Sequence, residues 1–211
     1  MSLFNTIPSI NIKTVILAGG NSIRFKGNKQ LSLLNRNGSQ IPLLQQSINT
    51  VVRALAIEEI STDNLYVATG ESHRKIAKKI SHPLYYCDQA YRGMGHTIAQ
   101  SVAKVLHNDP QTTHILFTLG DQVALEVNDY LMLLQKMLEF PSQLVCAETA
   151  DGISPPAIFP HQYFTELQAL SGDKGAKGIL QKNQKQLIKI PMINASFDID
   201  TQEDLIRWNN S

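Results

Sequence analysis

The chain has 211 residues and a mass of 23.5 kDa, enough for one sizeable core and short for two. Apolar residues make up 43% and charged residues 18%, with 19 Lys and Arg against 18 Asp and Glu, which excludes a charged disordered polymer and a strongly basic nucleic-acid surface. No stretch approaches the apolar length of a membrane span, and the start from Met1 to Pro8 lacks a charged segment followed by an apolar one. A cytoplasmic protein is expected, with neither a membrane nor a nucleic acid as partner. Cys87 and Cys146 form no CxxC and no ligand cluster, so both are expected to be small core residues.

In chain order, residues 1–11 read as a loosely held arm, and the β-branched run 14–17 as a first buried strand. Helical spacing follows at 43–56, a strand at 65–69, a helix at 72–80, a strand at 84–87 and a helix at 97–106. The runs 115–119 and 144–147 predict two more strands around a helix at 128–140, opened by Asn128 and Asp129. Parallel neighbours need crossovers, and helices are the usual ones, so this alternation predicts a doubly wound α/β fold with a mostly parallel sheet in three layers. Beyond 147 the rhythm loosens. Residues 151–156 carry turn chemistry, 160–170 and 173–181 look helical, 187–190 is a short strand, and 202–208 is a terminal helix. The chain is expected to be one domain over 1–211, with 148–200 as an insertion lying over one side of the sheet.

In such a sheet the ligand lies beyond the carboxyl ends of the strands. The segment from Leu17 to Lys29 contains Gly19, Gly20 and Gly27, the hydroxyl of Ser22, and the cations Arg24, Lys26 and Lys29. Glycines let a ligand approach the backbone, consecutive amides bind phosphate oxygens, and Arg24 and Lys29 can neutralise a polyphosphate. An ordinary turn with solvated charges is the plainer alternative. The segment is neither GxxxxGK[ST] nor GxGxxG, which argues against a phosphate-loop hydrolase and a dinucleotide dehydrogenase. Asp121, at the end of 115–119, is a hard oxygen ligand suited to magnesium, though a strand-end Asp is as often a cap. Asp198 and Asp200, two apart on an extended segment, face one way, and one of them can complete the metal site. The loop from Asp88 to Ala99 places Gly93 and Gly95 for close backbone approach and Thr97 to cap a helix or bond a base or ribose. His96 is better read as structural than catalytic, since phosphoryl transfer needs positioning and charge neutralisation more than a general base.

Four motifs together resemble the MobA-like NTP transferases, and most closely the molybdenum cofactor cytidylyltransferase branch. They are Leu17-Ala18-Gly19-Gly20-x-Ser22-x-Arg24-Phe25 with Lys29, the loop Gly93 to Ala99, Leu119-Gly120-Asp121-Gln122, and Leu170 to Ala176, followed by the tail Asp198 to Leu205. The resemblance implies a Rossmann-like nucleotidyltransferase fold and a magnesium-dependent transfer of a nucleoside monophosphate, with CTP favoured, to the phosphate of molybdopterin. Pyrophosphate would be released, and a molybdoenzyme is a possible recipient. It implies catalytic roles for Arg24, Lys29 and Asp121, metal binding by Asp121 and Asp200, and nucleotide binding by Leu17, Ala18, Gly19, Gly20, Ser22, Asp88, Gly93, Met94 and Thr97. The acceptor side would be Pro156, Asp173 and Gly175. Three departures stand out: Lys26 replaces a family glycine, Ile153 to Pro156 replaces an Arg-Gly segment, and Leu17 to Gly20 has the form usual in guanylyl members. A guanylyltransferase, a transferase using another phosphorylated small molecule, and a non-catalytic nucleotide-binding partner of a molybdoenzyme are the competing readings.

Overall fold

Residues 10–20, 23–25, 27–36 and 39–210 are described by the structure, a computed structural model. Among the described residues nine strands and seven α-helices follow in chain order: β1 (Ile12–Ala18), β2 (Leu33–Arg36), β3 (Ser39–Pro42), α1 (Leu43–Ile57), β4 (Leu65–Thr69), α2 (His73–Ala77), β5 (Leu84–Tyr86) and α3 (Met94–Asn108). Then come β6 (His114–Leu119), α4 (Val127–Glu139), β7 (Leu144–Thr149), β8 (Gly152–Pro160), α5 (Phe164–Gln168), α6 (Lys177–Lys182), β9 (Leu187–Pro191) and α7 (Gln202–Asn209). Seven strands form one sheet in the order β5-β4-β1-β6-β8-β7-β9, parallel except at β8, and β2 and β3 form a separate antiparallel ribbon. No described helix is long and apolar enough to cross a membrane.

The two-residue period of β1 divides its side chains between two cores. Ile12, Ile16 and Ala18 pack with Leu44, Ile48 and Val51 of α1 and Leu133, Leu134 and Met137 of α4. Val15 and Leu17 pack on the other face with Ile98 and Val102 of α3, Leu167 of α5 and Leu180 of α6. Burying each such Leu, Ile or Val contributes ~1.5–3 kcal/mol, so the sheet is fixed from both sides, in the expected three-layer doubly wound arrangement.

Four expectations need correction. Of residues 151–156, read as a turn, 152–156 belong to β8, which sits inside the sheet between β6 and β7. Two adjacent prolines fit a central strand because the ladder steps from Ala157↔Cys146 to Ser154↔Ala147, leaving Pro155 and Pro156 in an irregularity that asks for no N–H. The Pro155–Pro156 peptide is cis. The helices expected at 72–80, 160–170 and 173–181 shorten to α2, α5 and α6, and 171–176 is loop; the helix expected from 97 begins at Met94 with Gly93 as its cap, so Thr97 lies inside it. The end of the supposed arm is held: the Asn11 N–H donates to Thr113 Oγ1 at 2.9 Å, and Ile10 packs on the first core.

Candidate active site

The carboxyl ends of β1 and β6 and the start of α3 enclose a cleft of about 460 Å3, within the range of small-molecule sites. Its floor carries paired charges. Lys29 Nζ donates to Asp121 Oδ2 at 2.5 Å and to Asp200 Oδ1 at 3.1 Å, while the Arg24 guanidinium reaches Asp200 Oδ2 at 2.9 Å. Burial alone would lower the Lys29 pKa, but Asp121 and then Asp200 outweigh it and raise it, so the ammonium stays charged. Arg24, by contrast, pairs with Asp200 from a side chain that is 77% exposed, so its guanidinium borders solvent.

A small third core holds these charges in place. Phe25, Leu34, Leu43, Val123 and Ile199 are buried together, with Phe197, Leu205 and Trp208 against them. Phe25 follows Arg24, Val123 lies two residues beyond Asp121, and Ile199 precedes Asp200, so packing this cluster brings three distant segments to one point. The backbone confirms the join: the Ile199 N–H donates to the Asp121 carbonyl at 3.3 Å, and Gln202 Nε2 to the Phe25 carbonyl at 3.2 Å. Thr201 and Asp204 form a capping box at the start of α7, and Asp204 Oδ2 also accepts the Asp200 N–H at 3.1 Å. The positioning roles of Gln202 and Asp204 escaped sequence reasoning, although the Thr-x-x-Asp spacing signals the cap.

Negative charge is in excess here. Loss of hydration, then the charges of Asp121 and Asp200, push the Asp198 carboxyl up to about 6 against the opposing pull of Lys29 and Arg24. Asp121 Oδ1 is buried without a hydrogen-bond partner. Among the described residues no group of three His, Cys, Asp or Glu side chains is assembled to hold a metal ion unaided. That donor set fits magnesium, which is usually bound by one or two carboxylates together with substrate phosphates. Asp121 and Asp200 are the residues that would hold it.

The opposite wall is built by close backbone packing. A Cβ on Gly19 would lie 3.2 Å from Thr97 Oγ1, whereas Gly20 has nothing within 4 Å and leaves its backbone open to a ligand. Gly93 has φ +118°, and a Cβ there would lie 2.4 Å from the Gly172 carbonyl oxygen. The Gly95 N–H donates to that same carbonyl at 2.8 Å, and the Gly172 N–H donates to His96 Nδ1 at 2.9 Å. His96 thus fastens the 171–176 loop to α3.

Leu17, Ala18, Gly19, Gly20, Arg24, Lys29, Gly93, Met94, Thr97, Asp121, Asp173 and Asp200 all line the cleft. Ser22 and Lys26 lie outside the described residues. Asp88 is not in the lining: it is exposed beyond β5, where its carboxylate accepts from Gln100 Nε2. Gly175 and Asp173 line an adjoining pocket of about 220 Å3. Pro156 lines neither space, being buried within β8; its neighbour Pro155 faces the pocket instead, and Gln122 Nε2 donates to the Pro155 carbonyl at 3.0 Å. Gln30 and Tyr91 also line the cleft and were not anticipated, since neither lies in a motif with a chemical signature.

Residues 14–187 match the family model described as the MobA-like NTP transferase domain. The chain is 27% identical over 199 residues to the purine catabolism protein PucB of Bacillus subtilis (strain 168), covering 92% of this chain and 94% of that one. The crystal structure of Rv0371c from Mycobacterium tuberculosis H37Rv superposes with a TM-score of 0.78 at 22% identity, covering 96% of this chain and 98% of the other. Its complex with manganese gives 0.72 at 21% identity, with 95% and 99% covered. A CMP:2-keto-3-deoxy-manno-octonic acid synthetase complexed with CTP gives 0.70 at 13% identity, with 95% and 97% covered. The matched span is most of the chain and contains the glycine-rich turn with Arg24 and Lys29, together with Asp121; this protein belongs to the MobA-like NTP transferase family.

Proposed function

We propose that this nucleotidyltransferase moves a nucleoside monophosphate, with CTP as the favoured donor, onto the phosphate of a small-molecule acceptor. An acceptor phosphate oxygen attacks the α-phosphorus, a new P–O bond forms, the bond from the α-phosphorus to the α,β-bridging oxygen breaks, and pyrophosphate departs with that electron pair. The observation that carries this reading is Lys29 bridging Asp121 and Asp200 beside an unpartnered carboxylate oxygen at the floor of the cleft. Both reactants are anionic, so most of the barrier is repulsion and orientation. Arg24 and Lys29 bind and neutralise the triphosphate, and the open backbone at Gly20 meets its oxygens. Asp121 and Asp200 hold magnesium when it is bound, and the ion supplies further charge neutralisation to the phosphates. Leu17 to Gly20, Gly93, Met94 and Thr97 orient the nucleoside.

The motif set points to a molybdopterin-type acceptor. CTP is supported by the Gly93-Met94 loop and by the fold shared with a CTP-binding synthetase. A second reading keeps the reaction and changes the acceptor to another phosphorylated small molecule, favoured by Ile153 to Pro156 standing where the family has an Arg-Gly segment. The test is calorimetric titration with CTP, GTP, ATP and UTP in the presence of magnesium, then pyrophosphate release with molybdopterin and a panel of phosphate monoesters. CTP binding and acceptor-dependent pyrophosphate support the proposal; no nucleotide binding and no pyrophosphate end it.

A further inference from the structure

Gln30 lines the nucleotide cleft next to Lys29 with only 5% of its surface exposed, and its Oε1 is buried without a hydrogen-bond partner. A single 3-10 turn, Lys29–Leu31, presents the two side chains together. It is closed by the Leu31 N–H on the Asn28 carbonyl and the Ser32 N–H on the Lys29 carbonyl, each at 3.1 Å. The amide carbonyl packs at Gly120, where a Cβ would lie 3.0 Å from Oε1. Neither donor at Gly120 is available to it: the Gly120 N–H goes to the Leu17 carbonyl at 3.0 Å, and the Ser47 hydroxyl goes to the Gly120 carbonyl at 3.1 Å. Leu44 and Ala18, the other side chains packed there, are apolar. Turning the amide over would set two N–H donors against this wall in place of one acceptor, and would aim the carbonyl oxygen at a cleft floored by Asp121 and Asp200. Nε2 is therefore the end that borders the cleft, and it makes no hydrogen bond among the described residues. An unpaired buried amide weakens a fold, so one kept beside a ligand site calls for a ligand that uses it.

We infer that Gln30 touches the substrate directly: its Nε2 donates to a non-bridging phosphate oxygen of the bound nucleoside triphosphate, beside Lys29. The amide group facing the cleft can only donate, so its partner is an acceptor, which excludes a metal-bound water and selects the phosphate oxygens that Lys29 neutralises. An amide contributes direction without charge. It fixes one oxygen while Arg24 and Lys29 supply the neutralisation, and its burial in a closed turn holds it in place before the nucleotide arrives. The inference rests on the nucleotidyltransfer reading and adds to it a contact that the family motifs do not imply.

The experiment pairs stability with binding. Gln30→Met and Gln30→Leu remove the amide and keep an apolar side chain of similar bulk; urea unfolding without ligand and calorimetric titration with CTP and magnesium are run on both. The Met variant, closest in shape, should unfold at a urea concentration equal to or above that of the unaltered protein, because an unpaired buried polar group has gone. CTP affinity should nevertheless fall at least fivefold in each folded variant, the size of one ordinary hydrogen bond. The same loss, within twofold, is expected for 2′-deoxy-CTP and 3′-deoxy-CTP. A lower unfolding midpoint for the Met variant overturns the inference, since the amide would then be serving the fold. A smaller loss of CTP affinity in a folded variant also overturns it, and so does a loss that disappears with either deoxynucleotide, which would assign the amide to the ribose. The Leu variant keeps the binding test decisive if the Met variant fails to fold. Absence of CTP binding in the unaltered protein is the separate failure of the transfer reading itself.

Discussion

Replacing Lys29 by Met removes one charge from a nearly closed arrangement while keeping most of the side-chain volume. At an effective dielectric of about 20, the attraction of Nζ for the Asp200 oxygen at 3.1 Å is about 5 kcal/mol, before the cost of taking the charges out of water. Breaking a buried pair from one side typically costs about 3–5 kcal/mol, because the surviving charge is stranded. Here the side chains of Asp121 and Asp200 keep 18% and 33% exposure and Arg24 still holds Asp200, so a loss of about 2 kcal/mol is expected for the metal-free protein. Urea unfolding in EDTA at neutral pH measures it. Asp121→Asn in the same background removes the stranded charge, so the double-mutant cycle should show a coupling of at least about 1 kcal/mol. The pH arm has a definite sign: a raised lysine pKa stabilises the fold below the unfolded value of about 10.4, and the gain fades as pH climbs through the higher folded value. A loss below about 0.5 kcal/mol with strictly additive variants would refute the reasoning, since that is the behaviour of a surface pair.

Gly93→Ala places a Cβ against the Gly172 carbonyl at a backbone angle L residues avoid, so stability should fall by about 2 kcal/mol or more in urea titrations and triphosphate affinity should drop with it. His96→Asn should keep the Gly172 amide protected in hydrogen exchange, because Oδ1 can accept where Nδ1 did. His96→Leu should expose it and cost about 1–2 kcal/mol. For Asp198, whose folded carboxyl titrates near 6 against about 3.9 unfolded, the contribution to stability is present below the unfolded value and lost as pH rises through the folded one. Asp198→Asn should therefore stabilise the metal-free protein above pH 6, with the advantage vanishing toward pH 4; an equal effect at both ends contradicts the assignment.

The parts of the fold with a clear period were legible. β1, β4 and β6 read as buried strands because each centres on a short, mostly apolar run, and α1 and α4 because one face repeats every three to four residues. β8 was hidden by Pro155 and Pro156, which signal a turn until the ladder irregularity opposite Cys146 and Ala147 is known. The ribbon of β2 and β3 was missed although Asn37-Gly38 lies between the two runs, a strong hairpin signal. At the site, Arg24, Lys29 and Asp121 stood out from residue type and strand-end position, whereas residue type left Asp198 and Asp200 as alternatives and the family resemblance implied Asp200. The contact between these charges was not legible: Lys29 and Asp200 are 171 positions apart, and what joins them is the packing of Phe25, Val123 and Ile199, which no local pattern encodes.

The central claim is that a triphosphate and the carboxylates of Asp121 and Asp200 share one divalent ion, with neither set of ligands sufficient alone. Manganese binding followed by electron paramagnetic resonance, with and without CTP, tests it most directly. The expected result is weak binding to the protein alone, at least tenfold tighter binding to the protein with CTP than to CTP free in solution, and loss of that gain in Asp121→Asn. Tight binding without the nucleotide, or a gain that survives Asp121→Asn, would contradict it.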